Sequence, residues 1–346
     1  MKPRYYFFIL IGLVLVFGIY FIFSTLPSST TNQGAGSASV PPTADLSQRL
    51  KGEKLDGQLL FTRQGNLWAW KSDGATRLAI GAGNSTVADT TVKLLQPSWQ
   101  PGSGAIAYIR QDETFSDLWV VNANGSNARS LTTHKGKGQP RSPGYIETSL
   151  WAFAPSWSPD GSQIAYLSDV QTDDLALWIT PVKTPQPRRL SSLAVGQGGI
   201  QSPAWSPDGA QIAVAGYDAG KPQINLINIS TGRNTRLTDT SEGAYDPAWS
   251  PDGKTLAYSV RKGNGSELWL MRADGSNQTQ IVSGLVARSP TWSPDGKTVA
   301  FLGLRGTGFE LFTVGITPGG NGATGEPKQI SREARIEAAG GLSWGR

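Results

Sequence analysis

The chain contains no cysteine and a single histidine, His134. The first absence excludes a disulfide, a thiol nucleophile, a cysteine-held zinc and a lipid-modified cysteine at once. The second excludes any multi-histidine metal site, so neither metal nor cofactor is expected, and His134 itself reads as a solvated loop side chain. Charge is also scarce, at 16% of residues, and the 31 lysines and arginines form no dense block. The formal net charge of +5 is therefore a solubility feature, and no nucleic-acid partner is expected.

Uncharged apolar runs are short except for one. Tyr5 to Phe23 holds 19 residues without a charge, behind Lys2 and Arg4. At about 1.5 Å per helical residue this nearly crosses a hydrocarbon layer of about 30 Å. The next positive residues lie far downstream, at Arg49, Lys51 and Lys54, which predicts a cytoplasmic N-terminus and a remainder outside, periplasmic or extracellular. The run exceeds the apolar core of a cleaved signal peptide and no small-x-small site follows closely, so residues 1–24 are expected to be an uncleaved transmembrane signal anchor. Residues 25–56 are small, polar and proline-interrupted through Ala44, which predicts a flexible tether.

What is plentiful is Gly (42), Pro (22) and Trp (12), and these fall in a repeat. Trp157-Ser-Pro-Asp-Gly161 recurs at Trp205, Trp249 and Trp292, with a weaker copy at Trp99-Gln-Pro-Gly-Ser103 and a truncated one at Leu342-Ser-Trp344. Each copy precedes an alternating strand such as Gln163-Ile-Ala-Tyr-Leu167, then a second such as Ala176-Leu-Trp-Ile-Thr180, then a turn and a short last strand. Proline presets φ, Asp suits the next position and Gly accepts positive φ, so Ser-Pro-Asp-Gly is a tight turn, as are Asn124-Gly125 and Asp274-Gly275. The unit is a four-stranded meander of about forty residues, the size of a propeller blade. Gly57 to Leu78 lacks only a first strand, and the C-terminus supplies only that strand. Pairing of Gly341 to Trp344 with Gln58 to Phe61 therefore predicts an all-β, six-bladed propeller over residues 57–346 with no exposed edge.

These motifs, a WD40-like repeat with Pro203-Ala-Trp-Ser-Pro-Asp-Gly209, Pro247-Ala-Trp-Ser-Pro-Asp-Gly253, Ile-Ala-Tyr and Leu-Trp strands, Leu131-Thr132 and Leu237-Thr238, resemble the TolB-type propeller family. The resemblance covers Gly57 to Arg346. Members similar to TolB proper carry an α/β domain ahead of the propeller, where an anchor and linker stand here. Similar propellers also precede the catalytic domain of prolyl-oligopeptidase-like peptidases, whereas this sequence stops at the closing strand.

Patterns that mimic catalytic motifs are absorbed by the repeat. Gly341-Leu-Ser-Trp-Gly345 matches a nucleophile elbow, but no acid and histidine follow it. Gly253-Lys-Thr255 and Gly296-Lys-Thr298 lack the first glycine of a phosphate loop, and Gly320 to Gly325 lies in a loop rather than between a strand and a helix. The repeated Asp160, Asp208, Asp252 and Asp295 are expected to bond turn amides rather than calcium, and the repeated tryptophans to pack between blades. No catalytic residue is assigned.

The tight turns occupy one face of the ring and the variable loops the other, so recognition is expected on the loop face. Its longest insertion, Thr133 to Phe153, carries Lys135, Lys137, Arg141, Tyr145, Trp151 and Phe153. Four residues before each repeat Trp the chain is expected to enter the channel mouth, ringing it with Leu95, Phe153, Gln201, Tyr245, Arg288 and Gly340. In that pocket Arg288 serves as charge partner and Phe153 and Tyr245 as apolar walls. The expectation is a monomeric, membrane-anchored, non-catalytic module for protein, peptide or glycan. The alternatives are a propeller-type hydrolase or lyase, using carboxylates such as Asp112, Asp173 and Asp174, and a peptidase-associated propeller.

Overall fold

The computed structural model describes residues 55–71, 74–80, 92–102, 104–171, 175–191, 203–218, 221–332 and 334–345. The expected anchor lies wholly outside these residues, as does the tether up to residue 54, and among the described residues no helix is long and apolar enough to cross a membrane.

Six four-stranded antiparallel sheets follow one another along the chain. The first contains β1 (Gln58–Arg63), β2 (Asn66–Lys71) and β3 (Gly74–Arg77), and the second β4 (Lys93–Trp99), β5 (Ala105–Gln111), β6 (Ser116–Asn122) and β7 (Arg129–Ser130). After the one α-helix among the described residues, α1 (Pro143–Thr148), the third contains β8 (Ala152–Trp157), β9 (Gln163–Ser168), β10 (Ala176–Pro181) and β11 (Arg188–Ser191). The fourth is β12 (Ala204–Trp205), β13 (Gln211–Asp218), β14 (Lys221–Asn228) and β15 (Asn234–Arg236). The fifth is β16 (Ala244–Trp249), β17 (Thr255–Lys262), β18 (Gly265–Arg272) and β19 (Thr279–Val282); the sixth is β20 (Ala287–Trp292), β21 (Thr298–Arg305), β22 (Gly308–Gly315) and β23 (Lys328–Gln329). The last strand, β24 (Leu342–Gly345), pairs with β1, with Leu59 opposite Trp344 and Phe61 opposite Leu342. The first blade is thus made from both ends of the ring, as the complementary half-blades predict, shifted by one residue toward the C-terminus.

Alternation along the strands explains the packing. In Ile106-Ala-Tyr-Ile109, Ile106 and Tyr108 join Leu60, Leu67 and Trp99 between blades one and two, while Ala107 and Ile109 join Trp157 and Ile164 between blades two and three. A strand sandwiched on both faces must be apolar throughout, and the same division produces one cluster at each of the six blade junctions. Each repeat tryptophan wedges against the preceding blade, and four donate their indole N–H across the junction. Trp157 bonds the Ser98 carbonyl at 3.0 Å, Trp249 that of Ala204 at 3.1 Å, Trp292 that of Ala248 at 3.1 Å and Trp99 that of Gln58 at 3.2 Å.

The Ser-Pro-Asp-Gly turns are knit by their own side chains. Asp160, Asp208, Asp252 and Asp295 each accept from the serine hydroxyl two residues earlier and from the backbone N–H two residues later. Those serine hydroxyl bonds, followed by the amide bonds in most of the four, hold the carboxyls below their usual range. The unfolded chain then binds more protons in acid, so this contribution is complete above an ordinary carboxylate value of about 4 and is lost as pH falls through the depressed folded values. Urea midpoints are accordingly expected to drop between neutral pH and about pH 3. In a variant with all four aspartates replaced by Asn that acid-side slope should flatten, and an unchanged slope would refute the assignment.

Candidate functional site

Two features of the ring offer themselves for recognition: the loop face and the central cavity. On the loop face, three blades tie down the exit of their last strand by the same device. The Asp117 carboxylate accepts from the Thr132 hydroxyl and the His134 backbone N–H, both at 2.8 Å, and Thr132 in turn accepts from the Leu118 N–H. Gln223 receives Thr238 and Thr240 in the same way, and Glu310 receives Ser331 and Ala334. The Leu-Thr pairs at 131–132 and 237–238 are therefore anchors for the blade-to-blade connections. Burial pushes the Asp117 carboxyl up, opposed first by the Thr132 hydrogen bond and the nearby imidazole.

His134 does not sit in solvent as expected. It is 5% exposed, with Nδ1 2.9 Å from the Ser116 carbonyl oxygen, an acceptor, so Nδ1 carries the proton. A sequence count of one cannot distinguish this buried strut from a loose loop residue. Tyr145, expected to offer its ring to a partner, is 4% exposed beneath α1, whose first turn is capped by Ser142. Arg141 is exposed and reaches Glu113 of the β5–β6 loop at 2.7 Å, joining the insertion to its own blade.

Trp151 and Phe153 stack at the start of β8, with ring centroids 6.1 Å apart and planes within 4°. The Trp151 N–H donates to Asp169 at 2.8 Å, so the pair is held from the β9 end of the same blade. Both rings are half-buried and so partly available to solvent. Tyr245 and Arg288 occupy the equivalent position in β16 and β20 and are also half-buried. Leu95 is buried among the clusters of blades two and three. Gln201, Asp173 and Asp174 lie outside the described residues.

The central cavity, about 800 Å³, is lined by a different set. Among the described residues of the ring expected at the mouth, only Gly340 contributes to it; described residues one position later do so instead, namely Gln96, Ala154, Asp246, Ser289 and Gly341. Each of these five has left-handed backbone, with φ between 50° and 64°. In the four that lie in strands β4, β8, β16 and β20 the pairing register slips at this point, so each is a bulge. Proline follows at 97, 155, 247 and 290. It has no N–H to lose from the ladder, so a strand interrupted there leaves no orphaned donor. The bulge turns the side chain from the blade toward the axis. Towards the tight-turn face the lining continues through the six tryptophan positions to Pro101, Pro159, Pro207, Pro251 and Pro294. Amides on the inner edge are met by the preceding blade: Ser343 accepts from the Trp99 N–H, Ser156 from that of Trp205 and Thr291 from that of Trp344.

Sequence reasoning missed this inner ring because only Gly341 shows the residue type that favours positive φ. The available signal was the Pro two positions before the Trp, which marks where a ladder bond is absent. Among the described residues no cluster of three or more His, Asp or Glu is arranged to hold a metal ion.

Six meanders around an axial cavity, closed by a blade assembled from both chain ends, define a six-bladed β-propeller. Residues 192–324 match the family model of the TolB beta propeller domain, the family that the repeated pentapeptides resemble. TolB from Acinetobacter baumannii superposes with a TM-score of 0.63 over 84% of this chain and 67% of that one, at 17% identity. A chain from the nidogen/laminin complex aligns with a TM-score of 0.58 over 83% and 98%, at 9% identity. Puromycin hydrolase gives 0.53 over 86% of this chain and 48% of that one, at 18% identity. At these identities the likeness is one of fold. No curated protein sequence matches the chain.

Proposed function

We propose that this protein is a membrane-anchored, extracytoplasmic recognition propeller, non-catalytic, which binds a protein or peptide partner through the loop face of the ring. The carrying observation is the Trp151–Phe153 stack beside the pinned 133–150 insertion. Two parallel aromatic rings, preorganised by Asp169 and by the clamp at Asp117, form the kind of rigid apolar anchor on which binding energy concentrates, and the same insertion carries the exposed Arg141, paired with Glu113. The uncharged Tyr5 to Phe23 run supports attachment to a membrane, and the Lys2 and Arg4 flank supports a cytoplasmic N-terminus. That a propeller of this fold occurs in a nidogen/laminin complex agrees with a ring used for protein recognition. The propeller-enzyme alternative requires paired acid and base groups around a common centre. The described lining of the central cavity carries a single ionisable side chain, which favours recognition.

The test is crosslinked pull-down of the full chain from membranes, comparing wild type with a Trp151→Ala/Phe153→Ala double variant. Recovery of the wild-type partner is expected to fall by about tenfold or more, as for loss of a central aromatic anchor. Equal recovery by a variant with an unchanged melting temperature would refute the loop-face reading.

A further inference from the structure

The central cavity holds one ionisable group among its described lining residues, and no described lysine or arginine pairs with it. Asp246 lines the cavity from β16, is 7% exposed, and has the left-handed backbone of the bulge, with φ 50°. Its Oδ2 accepts from the Ser289 N–H at 3.1 Å and from the Ser259 hydroxyl at 3.4 Å. Its Oδ1 accepts no hydrogen bond from any described residue, and no lysine or arginine among them pairs with it, Arg288 beside Ser289 included.

The equivalent residue in the second blade shows what the fold itself requires at this position. Gln96 is buried to the same degree, and its amide oxygen accepts from the Ala154 N–H at 2.7 Å while its amide nitrogen donates to the Ala339 carbonyl at 3.3 Å. A neutral amide thus bridges one blade to the next with both ends satisfied, and Ala154 and Gly341 occupy the position with no polar side chain at all. The bridge from Asp246 to Ser289 needs an acceptor but not a charge. Oδ1 lines the cavity rather than sealed protein, so a cation entering there meets a carboxylate that no described lysine or arginine already pairs.

We propose that the cavity is a binding site for a small organic cation, an ammonium borne on an apolar body, with Asp246 as its counter-ion. The proposal concerns the channel rather than the loop face and stands whether or not Trp151 and Phe153 bind a partner. The dimensions and lining suit such a ligand. A cavity of about 800 Å³ is of the size that encloses a drug-sized molecule. From Asp246 to Pro251 the lining runs five residues along and just beyond a strand, about 16 Å at about 3.3 Å per residue. Along this path prolines and the rims of the buried tryptophans alternate with alanine, serine and threonine, and the prolines offer an apolar surface to the body of the ligand. The only charge among the described lining residues lies at the loop-face end. A ligand entering between the Ser-Pro-Asp-Gly turns would therefore present its ammonium at depth and leave its apolar part between the prolines. An anion is disfavoured, since no described lining residue is cationic.

The experiment is isothermal titration calorimetry on the full chain in detergent micelles, with tyramine, its uncharged counterpart 4-ethylphenol, and Ca²⁺ alone, against wild type and Asp246→Asn. Saturable binding of tyramine is expected, weakened about tenfold or more both by removing the amine and by removing the carboxylate's charge. The comparison of the two phenols on wild type needs no variant, so the proposal remains testable should D246N fail to fold. Absence of saturable tyramine binding, equal affinity for 4-ethylphenol, undiminished tyramine binding by a folded D246N, or Ca²⁺ bound at Asp246 and not displaced by tyramine would each overturn it.

Discussion

A chain ending at Gly341 is expected to lose its single cooperative unfolding transition and to associate through the exposed edge of β1. Without β24, the Leu59 to Phe61 backbone keeps its ladder to β2 but loses the one on its other side, and the cluster between blades six and one loses Leu342 and Trp344. Trp99 loses the Ser343 hydroxyl that receives its N–H at 3.0 Å, and the Thr291 hydroxyl loses Trp344. An open edge that templates further strands is the liability that closure removes. Two large apolar side chains and one strand's hydrogen bonds together contribute about 5 kcal/mol or more, comparable with the whole stability of many domains. Urea denaturation and size-exclusion chromatography of the truncated and intact chains measure this. An unchanged midpoint and a monomeric profile for the truncated chain would show that the ring does not depend on its last strand.

Trp157→Ala is expected to destabilise the intact ring by about 3–5 kcal/mol, because it opens a cavity between blades two and three and leaves the Ser98 carbonyl without its donor. Trp157→Phe keeps most of the apolar volume and loses the indole N–H, so about 1–2 kcal/mol is expected. The ordering of the two variants is the diagnostic part. Were the tryptophans surface platforms for a sugar or a base, Ala and Phe would differ in ligand binding and hardly in urea midpoint. At 5% exposure, Trp157 instead has its effect through the core.

The fold was legible because the repeat states its geometry several times over. Ser-Pro-Asp-Gly demands a turn, Ile-Ala-Tyr demands a strand buried on both faces, and the two incomplete ends demand each other. What remained illegible was set by contacts between blades. Apart from the proline that follows each, nothing local marks Gln96, Ala154, Asp246 and Ser289 as left-handed, since none is glycine; their conformation follows from the bulge that lets the inner strands converge on the axis. The one-residue difference between the expected ring at Phe153, Tyr245 and Arg288 and the observed lining at Ala154, Asp246 and Ser289 follows from this. A strand read with strict alternation places the wrong neighbour on the axis once a residue is inserted. Tyr145 and His134 were misplaced for a related reason. Their burial depends on where α1 and the Thr132 anchor lie in space, and a polar, glycine-containing loop sequence carries no period from which that could be read.

Closure of the ring by its two ends is the claim on which the cavity, the loop face and both stability effects rest, and amide hydrogen exchange of the intact chain tests it most directly. Amides of Leu59 to Phe61 and of β24 are expected to exchange as slowly as those of the interior strand β17, all opening only with global unfolding. Exchange of residues 342–345 at the rate of an unstructured peptide, with β1 unprotected on the side facing them, would contradict it.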